Sequence, residues 1–253
     1  MEMRALTQPE RCDARPDEHL CWPGEGADIG VEPGADPRAD QGAVRGPVPG
    51  YGWADARAPA SCGYLVDPVL RELARLGARR VVDIGAGNGA MAGRLAAAGL
   101  DLTGVEPDAG GVAAARAAWP DIVFEQAGVA DDPAPIVERA GGPFDAAVCT
   151  EVVEHLYAPA RLPRFAAGLL REGGHLIVTT PYHGYLKNLL LALAGCWDRH
   201  HTALWEGGHI KFWSQATLSA LLEDNGFAVV RFRGAGRLPW VWKSMLLSAR
   251  KTP

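Results

Sequence analysis

The chain has 253 residues, 48% of them hydrophobic, which suits one α/β domain with an extension. With 25 Lys+Arg against 30 Asp+Glu, a formal net charge of -5, it has no global attraction for nucleic-acid phosphates; a DNA-coating role is excluded and an RNA partner is disfavoured. Five cysteines, Cys12, Cys21, Cys62, Cys149 and Cys196, form no CxxC pair, so neither a disulfide framework nor a zinc ribbon is indicated and a cytoplasmic location is expected.

Residues 1–46 mix Asp, Glu, Arg, Pro and Gly without periodicity and read as a disordered tail, with the folded domain over 47–253. This start also lacks the apolar segment of a secretory signal. DPVLRELARLG places apolar residues at helical spacing behind Asp67 as cap and Pro68 in the first turn. Short apolar runs then alternate with helical stretches, the pattern of parallel strands joined by crossover helices. Strands are predicted at Arg80–Ile84, Leu102–Val105, Ile122–Gln126, Phe144–Cys149 and His175–Thr179, and helices at Ala90–Ala98 and Gly111–Trp119. The longest apolar run, Leu189 to Ala194, is far below the roughly 20 residues of a membrane-spanning helix. Ser214–Asn225 is a further helix stopped by Gly226, and Ala228–Arg233 and Leu246–Lys251 are closing strands. The expected fold is α/β, a doubly wound, seven-stranded, mostly parallel sheet.

The first strand runs into Asp83-Ile84-Gly85-Ala86-Gly87-Asn88-Gly89, where glycines let the backbone approach a ligand at a helix N-terminus. The same letters satisfy a dinucleotide fingerprint (Gly85, Gly87, Ala90), and Glu106 lies about 20 residues on, where a ribose-binding acid belongs. Charge separates the two readings. Asp83 would face an anionic pyrophosphate in a dinucleotide site, whereas S-adenosylmethionine carries an ammonium and a sulfonium and no phosphate.

The runs VVDIGAGNGAMAGRLA, LTGVEPD, FDAAVCTEVVEHL, LLREGGHLIVTTPYHG and GGHIKFWSQATLSALLEDNGF together resemble class I S-adenosylmethionine-dependent methyltransferases of the ubiquinone-biosynthesis O-methyltransferase type. The resemblance spans roughly Tyr51 to Lys251 and implies a Rossmann-like methyltransferase fold. It also implies that Asp83, Gly85, Gly87 and Gly89 hold the donor's methionine portion, that Glu106 takes the ribose hydroxyls, and that Thr150 and Glu151 line the methionine side. The family often carries an acid for the adenine amine in a Gly-Asp-Ala-Glu-Asp pattern, but this chain has Gly128-Val129-Ala130-Asp131-Asp132. Either Asp131 substitutes from a shifted loop, or the adenine rests on the backbone of Gly128, Val129 and Ala130 and on apolar packing.

Glu151-Val152-Val153-Glu154-His155 would place two carboxylates and an imidazole on one helical face, a metal-ligand constellation. His209, in GGHIKF, resembles the residue that completes the set in metal-dependent relatives, among them small-RNA 3'-terminal 2'-O-methyltransferases. Glu151, Glu154, His155 and His209 would suit Mg, Mn or Zn. The alternative is a purely structural or acid-base role, with His155 or His209 as general base.

Residues 181–213 are too long for a simple connection and read as a lid or acceptor site. Leu186, Leu189, Leu190 and Leu193 form a stripe at helical spacing, suited to packing on the domain, to peripheral membrane contact, or to a greasy acceptor. Trp240 and Trp242 are expected at the sheet edge. The expected function is methyl transfer to a hydroxyl of a small, apolar molecule; an RNA-end 2'-O-methyltransferase and a nicotinamide-dependent oxidoreductase are the alternatives.

Overall fold

The computed structural model describes residues 57–201 and 208–253. The chain divides into two units, Met1–Gly46 and Pro47–Pro253, and the described residues belong to the second. The expected disordered tail, the onset near Tyr51 and part of the lid segment lie outside the described residues.

Seven strands, β1 (Arg80–Ile84), β2 (Asp101–Glu106), β3 (Val123–Gln126), β4 (Phe144–Thr150), β5 (Leu170–Pro181), β6 (Phe227–Ala235) and β7 (Ser244–Lys251), form one sheet in the order β3-β2-β1-β4-β5-β7-β6. Strands β1 to β5 pair in parallel. Strand β7 is antiparallel to both β5 and β6, because the short β6–β7 connection returns the chain beside its neighbour instead of crossing over. Chain order reverses between β1 and β4, and the carboxyl ends of those strands border the crevice where sheets of this kind bind ligands.

The helices are α1 (Cys62–Leu76), α2 (Ala90–Ala97), α3 (Ala109–Ala118), α4 (Ala134–Arg139), α5 (Arg161–Leu169), α6 (Tyr185–Leu193), α7 (Trp197–His201) and α8 (Gln215–Glu223). They make the sheet a central layer with a core on each face. Leu65 and Leu73 of α1, Leu95 of α2 and Val112 of α3 pack with Val81, Ala146 and Val148. Ile136 of α4, Phe165 of α5 and Leu222 of α8 pack with Val82, Ile84, Ala147 and Cys149. Neighbouring strand residues thus feed opposite cores, which is why RVVDI and FDAAVC carry adjacent apolar residues, Val81-Val82 and Ala146 to Cys149, instead of alternating.

Three expectations need correction. Helix α1 starts at Cys62, so Asp67 is no cap and Pro68 lies inside the helix. Proline there costs about 3 kcal/mol. Burial of Cys62 and Leu65 on the same stripe as Val69 and Leu73 offsets it, at about 1.5 to 3 kcal/mol for a leucine. Helices α4 and α5 were not expected: α4 has six residues and α5 carries Pro163 in its first turn, which disguises the period. Most consequentially, α6 is inverted. Leu186, Leu189, Leu190 and Leu193 are exposed, while Lys187 is buried. The stripe does not pack on the described domain.

Candidate functional site

The crevice begins at the end of β1. Asp83 is fully buried and neither carboxylate oxygen has a hydrogen-bond partner; the Ala92 N–H faces it without closing a bond. Burial, and then repulsion from Glu106, push its pKa up to about 7. Glu106 ends β2 with Oε2 accepting from the Gly87 N–H at 2.8 Å and Oε1 from the Asp108 N–H at 2.9 Å. Its carboxyl is raised by burial against the lowering effect of those two bonds. A carboxylate offers about four acceptor positions, so capacity remains for ribose hydroxyls.

The glycine loop turns with positive φ at Gly85, Gly87 and Gly89. Two of these glycines answer to the protein itself. A Cβ on Gly85 would meet Val152 at 2.5 Å, and one on Gly89 would meet Phe124 and Trp119 at 2.8 Å. After β3, Asp131 turns back on its own loop, Oδ2 accepting from the Gly128 N–H at 2.8 Å. Val129 packs against the core beside it. Asp131 therefore ties its own loop together in this structure.

Thr150 and Glu151 close the crevice at the end of β4. Glu151 has φ 54, in the left-handed region that costs a non-glycine residue roughly 1–2 kcal/mol. Its N–H donates to Thr179 O at 3.0 Å, its Oε1 accepts from Thr179 Oγ1 at 3.0 Å and its Oε2 from Ser244 Oγ at 3.1 Å. Burial raises it to about 7, against those bonds and the charge of Lys187.

The next residues form a single 3-10 turn, Val153–His155, instead of the expected α-helical face, so Glu151 does not share a side with Glu154 and His155. Glu154, His155 and His209 do meet, each offering a ligand atom within 4.8 Å of the others. Glu154 is 1% exposed; Oε2 accepts from Thr180 Oγ1 at 2.9 Å, while Oε1 has no hydrogen bond and lies 3.9 Å from His209 Nε2. Burial, then Glu151, raise the Glu154 carboxyl well above its ordinary range. His155 Nδ1 lies 3.1 Å from Gly208 O, and its ring meets that of His209 edge-on at 4.9 Å. The Glu154 carbonyl accepts from the Ile210 and Lys211 N–H groups, which fixes the His209 segment against the turn.

Residues 56–231 match the family described as "Methyltransferase domain". The chain belongs to the class I S-adenosylmethionine-dependent methyltransferases. A ubiquinone biosynthesis O-methyltransferase of Ralstonia nicotianae is 31% identical over 193 residues, 72% of this chain and 78% of that protein. One from Burkholderia pseudomallei is 28% identical, covering 74% of this chain and 82% of its own. Among solved structures, magnesium protoporphyrin IX methyltransferase from Synechocystis PCC 6803 with bound SAH superposes with a TM-score of 0.56 at 22% identity, over 74% of this chain and 82% of that one.

In the methyltransferase, the residues that hold the acids in place went unnoticed in the sequence: Thr179 and Thr180 at the end of β5 and Ser244 at the start of β7. The Thr-Thr doublet at a strand end was the available signal. Trp242 packs on Tyr182 and Phe232 with ring centroids at 5.1 and 5.7 Å, while Trp240 is largely exposed. Among the described residues, no helix is long and apolar enough to cross a membrane.

Proposed function

We propose that the methyltransferase moves a methyl group from S-adenosylmethionine to a hydroxyl of a small, largely apolar acceptor, beside a divalent metal held by Glu154, His155 and His209. One observation carries this reading. The donor crevice ends at Glu151, and three residues later the chain presents a buried carboxylate oxygen without a hydrogen bond, facing two imidazoles.

The residues fit both groups. Asp83 gives the donor's cationic methionine portion a buried anionic counterpart, Glu106 has acceptor capacity for the ribose, and Gly128 and Val129 flank the adenine end. Burial, then the neighbouring imidazoles and Lys187, hold His209 at about 4, so it is neutral at pH 7, as a metal ligand must be. An imidazole that weak is a poor match for taking a hydroxyl proton, which favours the ligand role for His209 and leaves His155 as the candidate general base if no metal binds. Thr180 and the Gly208 carbonyl orient Glu154 and His155, the arrangement that outer-sphere partners give to metal ligands. Two imidazoles and one carboxylate favour zinc over magnesium, with manganese between them. When bound, the donor supplies a methyl group on a sulfonium, and a divalent ion lowers the pKa of an acceptor hydroxyl.

The names of the ubiquinone-biosynthesis relatives support a hydroxyl acceptor of small size. The exposed α6 leucines support contact with an apolar acceptor or with the membrane surface that carries it. The buried free thiols of Cys62 and Cys149 are in keeping with a cytoplasmic location. The test is elemental analysis of purified protein, methyl transfer in excess chelator, and metal titration of His209→Ala. Loss of metal and of transfer together, with S-adenosylhomocysteine binding retained, is expected. Full activity in excess chelator would eliminate the metal.

A further inference from the structure

Helix α1 begins weakly. Its N-cap, Ser61, makes no side-chain capping bond and its first turn carries no acid, so the turn is defined by backbone bonds from Cys62 to Pro59 and from Tyr64 and Leu65 to Ser61, at 3.0–3.1 Å. One turn on, Pro68 lacks the N–H that would bond the Tyr64 carbonyl. The first large side chain wholly in the core is that of Leu65.

Two residues of the donor crevice hold the segment 57–64 instead. Asn88, in the glycine loop and 2% exposed, donates from Nδ2 to the Arg57 carbonyl at 2.9 Å, and its Oδ1 accepts from the Ala90 N–H at 3.3 Å. At the other end, the Tyr64 hydroxyl lies 3.1 Å from Ser244 Oγ, which in turn lies 3.1 Å from Glu151 Oε2. A serine hydroxyl has one hydrogen; Ser244 gives it to the carboxylate, so Tyr64 is the donor to Ser244. The Tyr64 ring is seated separately, with Lys243 Nζ 5.0 Å from its centroid and with Gly236 beside it, where an added Cβ would come within 3.0 Å. The segment thus joins the ends of β1 and β4, which are neighbours in the sheet, and Asp83 at the first of them is fully buried.

We propose that Asn88 and Tyr64 are positioning residues that pin 57–64 as a strap over the donor crevice, so that S-adenosylmethionine and its product exchange when the strap is released. Asn88 acts through the Arg57 carbonyl, and Tyr64 through Ser244 and Glu151. Both bonds are made with the donor beneath the strap or without it, so they cancel in affinity and are felt in the rates. The uncapped, proline-interrupted helix start keeps the opening local, as gating segments require.

This inference rests on the donor reading, and the experiment separates the two. Binding of S-adenosylhomocysteine to the full chain would be followed by stopped-flow tryptophan fluorescence, with Trp119 beside the glycine loop as a reporter. Tyr64→Phe keeps the ring; Asn88→Ser keeps an oxygen for the Ala90 N–H but falls short of the Arg57 carbonyl. Each should raise both the association and the dissociation rate roughly 3–10-fold, the worth of one hydrogen bond, and leave Kd within about threefold. The double variant should show about the product of the two effects, since both bonds open together. Unchanged rates in both variants, or faster dissociation with association unaltered, would overturn the strap and leave the donor reading standing. Should a variant fail to fold, hydrogen exchange of the unaltered chain decides. The Cys62 and Tyr64 amides should exchange faster than those of β1 and slow by about tenfold or more when S-adenosylhomocysteine is added. Protection equal to that of β1, or no response to S-adenosylhomocysteine, would overturn the strap. No binding of S-adenosylhomocysteine to the unaltered chain would overturn the donor reading, and the strap with it.

Discussion

Replacing Asp83 by Asn should make the protein without donor more stable, and increasingly so as pH rises. The carboxyl sits fully buried with no hydrogen bond, and burial with the charge of Glu106 moves it from 3.8 up to about 7. Each pH unit between the unfolded and folded values is worth about 1.4 kcal/mol, so the ionised carboxylate costs the fold about 4 kcal/mol. Because the folded value lies above the unfolded one, the favourable contribution is complete below 3.8 and is lost as pH climbs through 7. About 3 kcal/mol of that loss falls between pH 5 and pH 8. Glu106, Glu151 and Glu154 are raised as well and add their own slopes, so the informative quantity is the difference between variant and parent. Urea unfolding at the two pH values, followed by tryptophan fluorescence, measures it. A stability difference that is the same at pH 5 and pH 8 would refute the argument that an unsolvated charge is stored at the end of β1. The same substitution should weaken S-adenosylmethionine more than S-adenosylhomocysteine, which keeps the ammonium but lacks the sulfonium charge.

Glu106→Ala should weaken S-adenosylhomocysteine roughly 10–100-fold by calorimetry, since it removes charge-assisted bonds and also frees the Gly87 and Asp108 N–H groups. Gly89→Ala should cost about 2–4 kcal/mol of stability in chemical denaturation, combining a left-handed backbone with a Cβ placed 2.8 Å from Phe124 and Trp119; a near-neutral result would show that those rings can give way. Leu193→Gln on the outer face of α6 should change stability by no more than about 0.5 kcal/mol, and a loss above 1 kcal/mol would mean that this face is covered in solution.

The parallel half of the sheet was legible because burial on both faces gives β1 and β4 adjacent apolar residues, Val81-Val82 and Ala146 to Cys149, instead of an alternating pattern. Glu106 was legible from its spacing behind the glycine loop. What escaped depends on facts that a one-dimensional pattern does not carry. The period that marks Leu186, Leu189, Leu190 and Leu193 as one face is silent about whether that face points inward, and here a lysine took the inner side. The ExxEH run was placed on a helix by its spacing, but Glu151 adopts a left-handed backbone that no helix allows, so its carboxylate swings to Thr179 and Ser244. Those partners lie 28 and 93 residues further along the chain. Short α4 and proline-bearing α5 gave too few turns for a period to emerge.

The insertion of β7 between β5 and β6 has a consequence for the order in which the molecule can be assembled during synthesis. The strand that supplies Ser244 to Glu151, and whose preceding residue Lys243 supplies the carbonyl to Lys187, follows all the other described strands along the chain. While a ribosome still holds that segment, β1 to β5 can associate, because their pairing needs nothing downstream. The outer edge of β5 is then an open row of backbone donors and acceptors, a template for a neighbouring nascent chain. Closure of that edge and the anchoring of Glu151 by Ser244 are therefore one event. A chain shortened before β7 would lose both at once: it would retain the glycine loop and Glu106, yet expose a central strand and leave Glu151 without its second anchor.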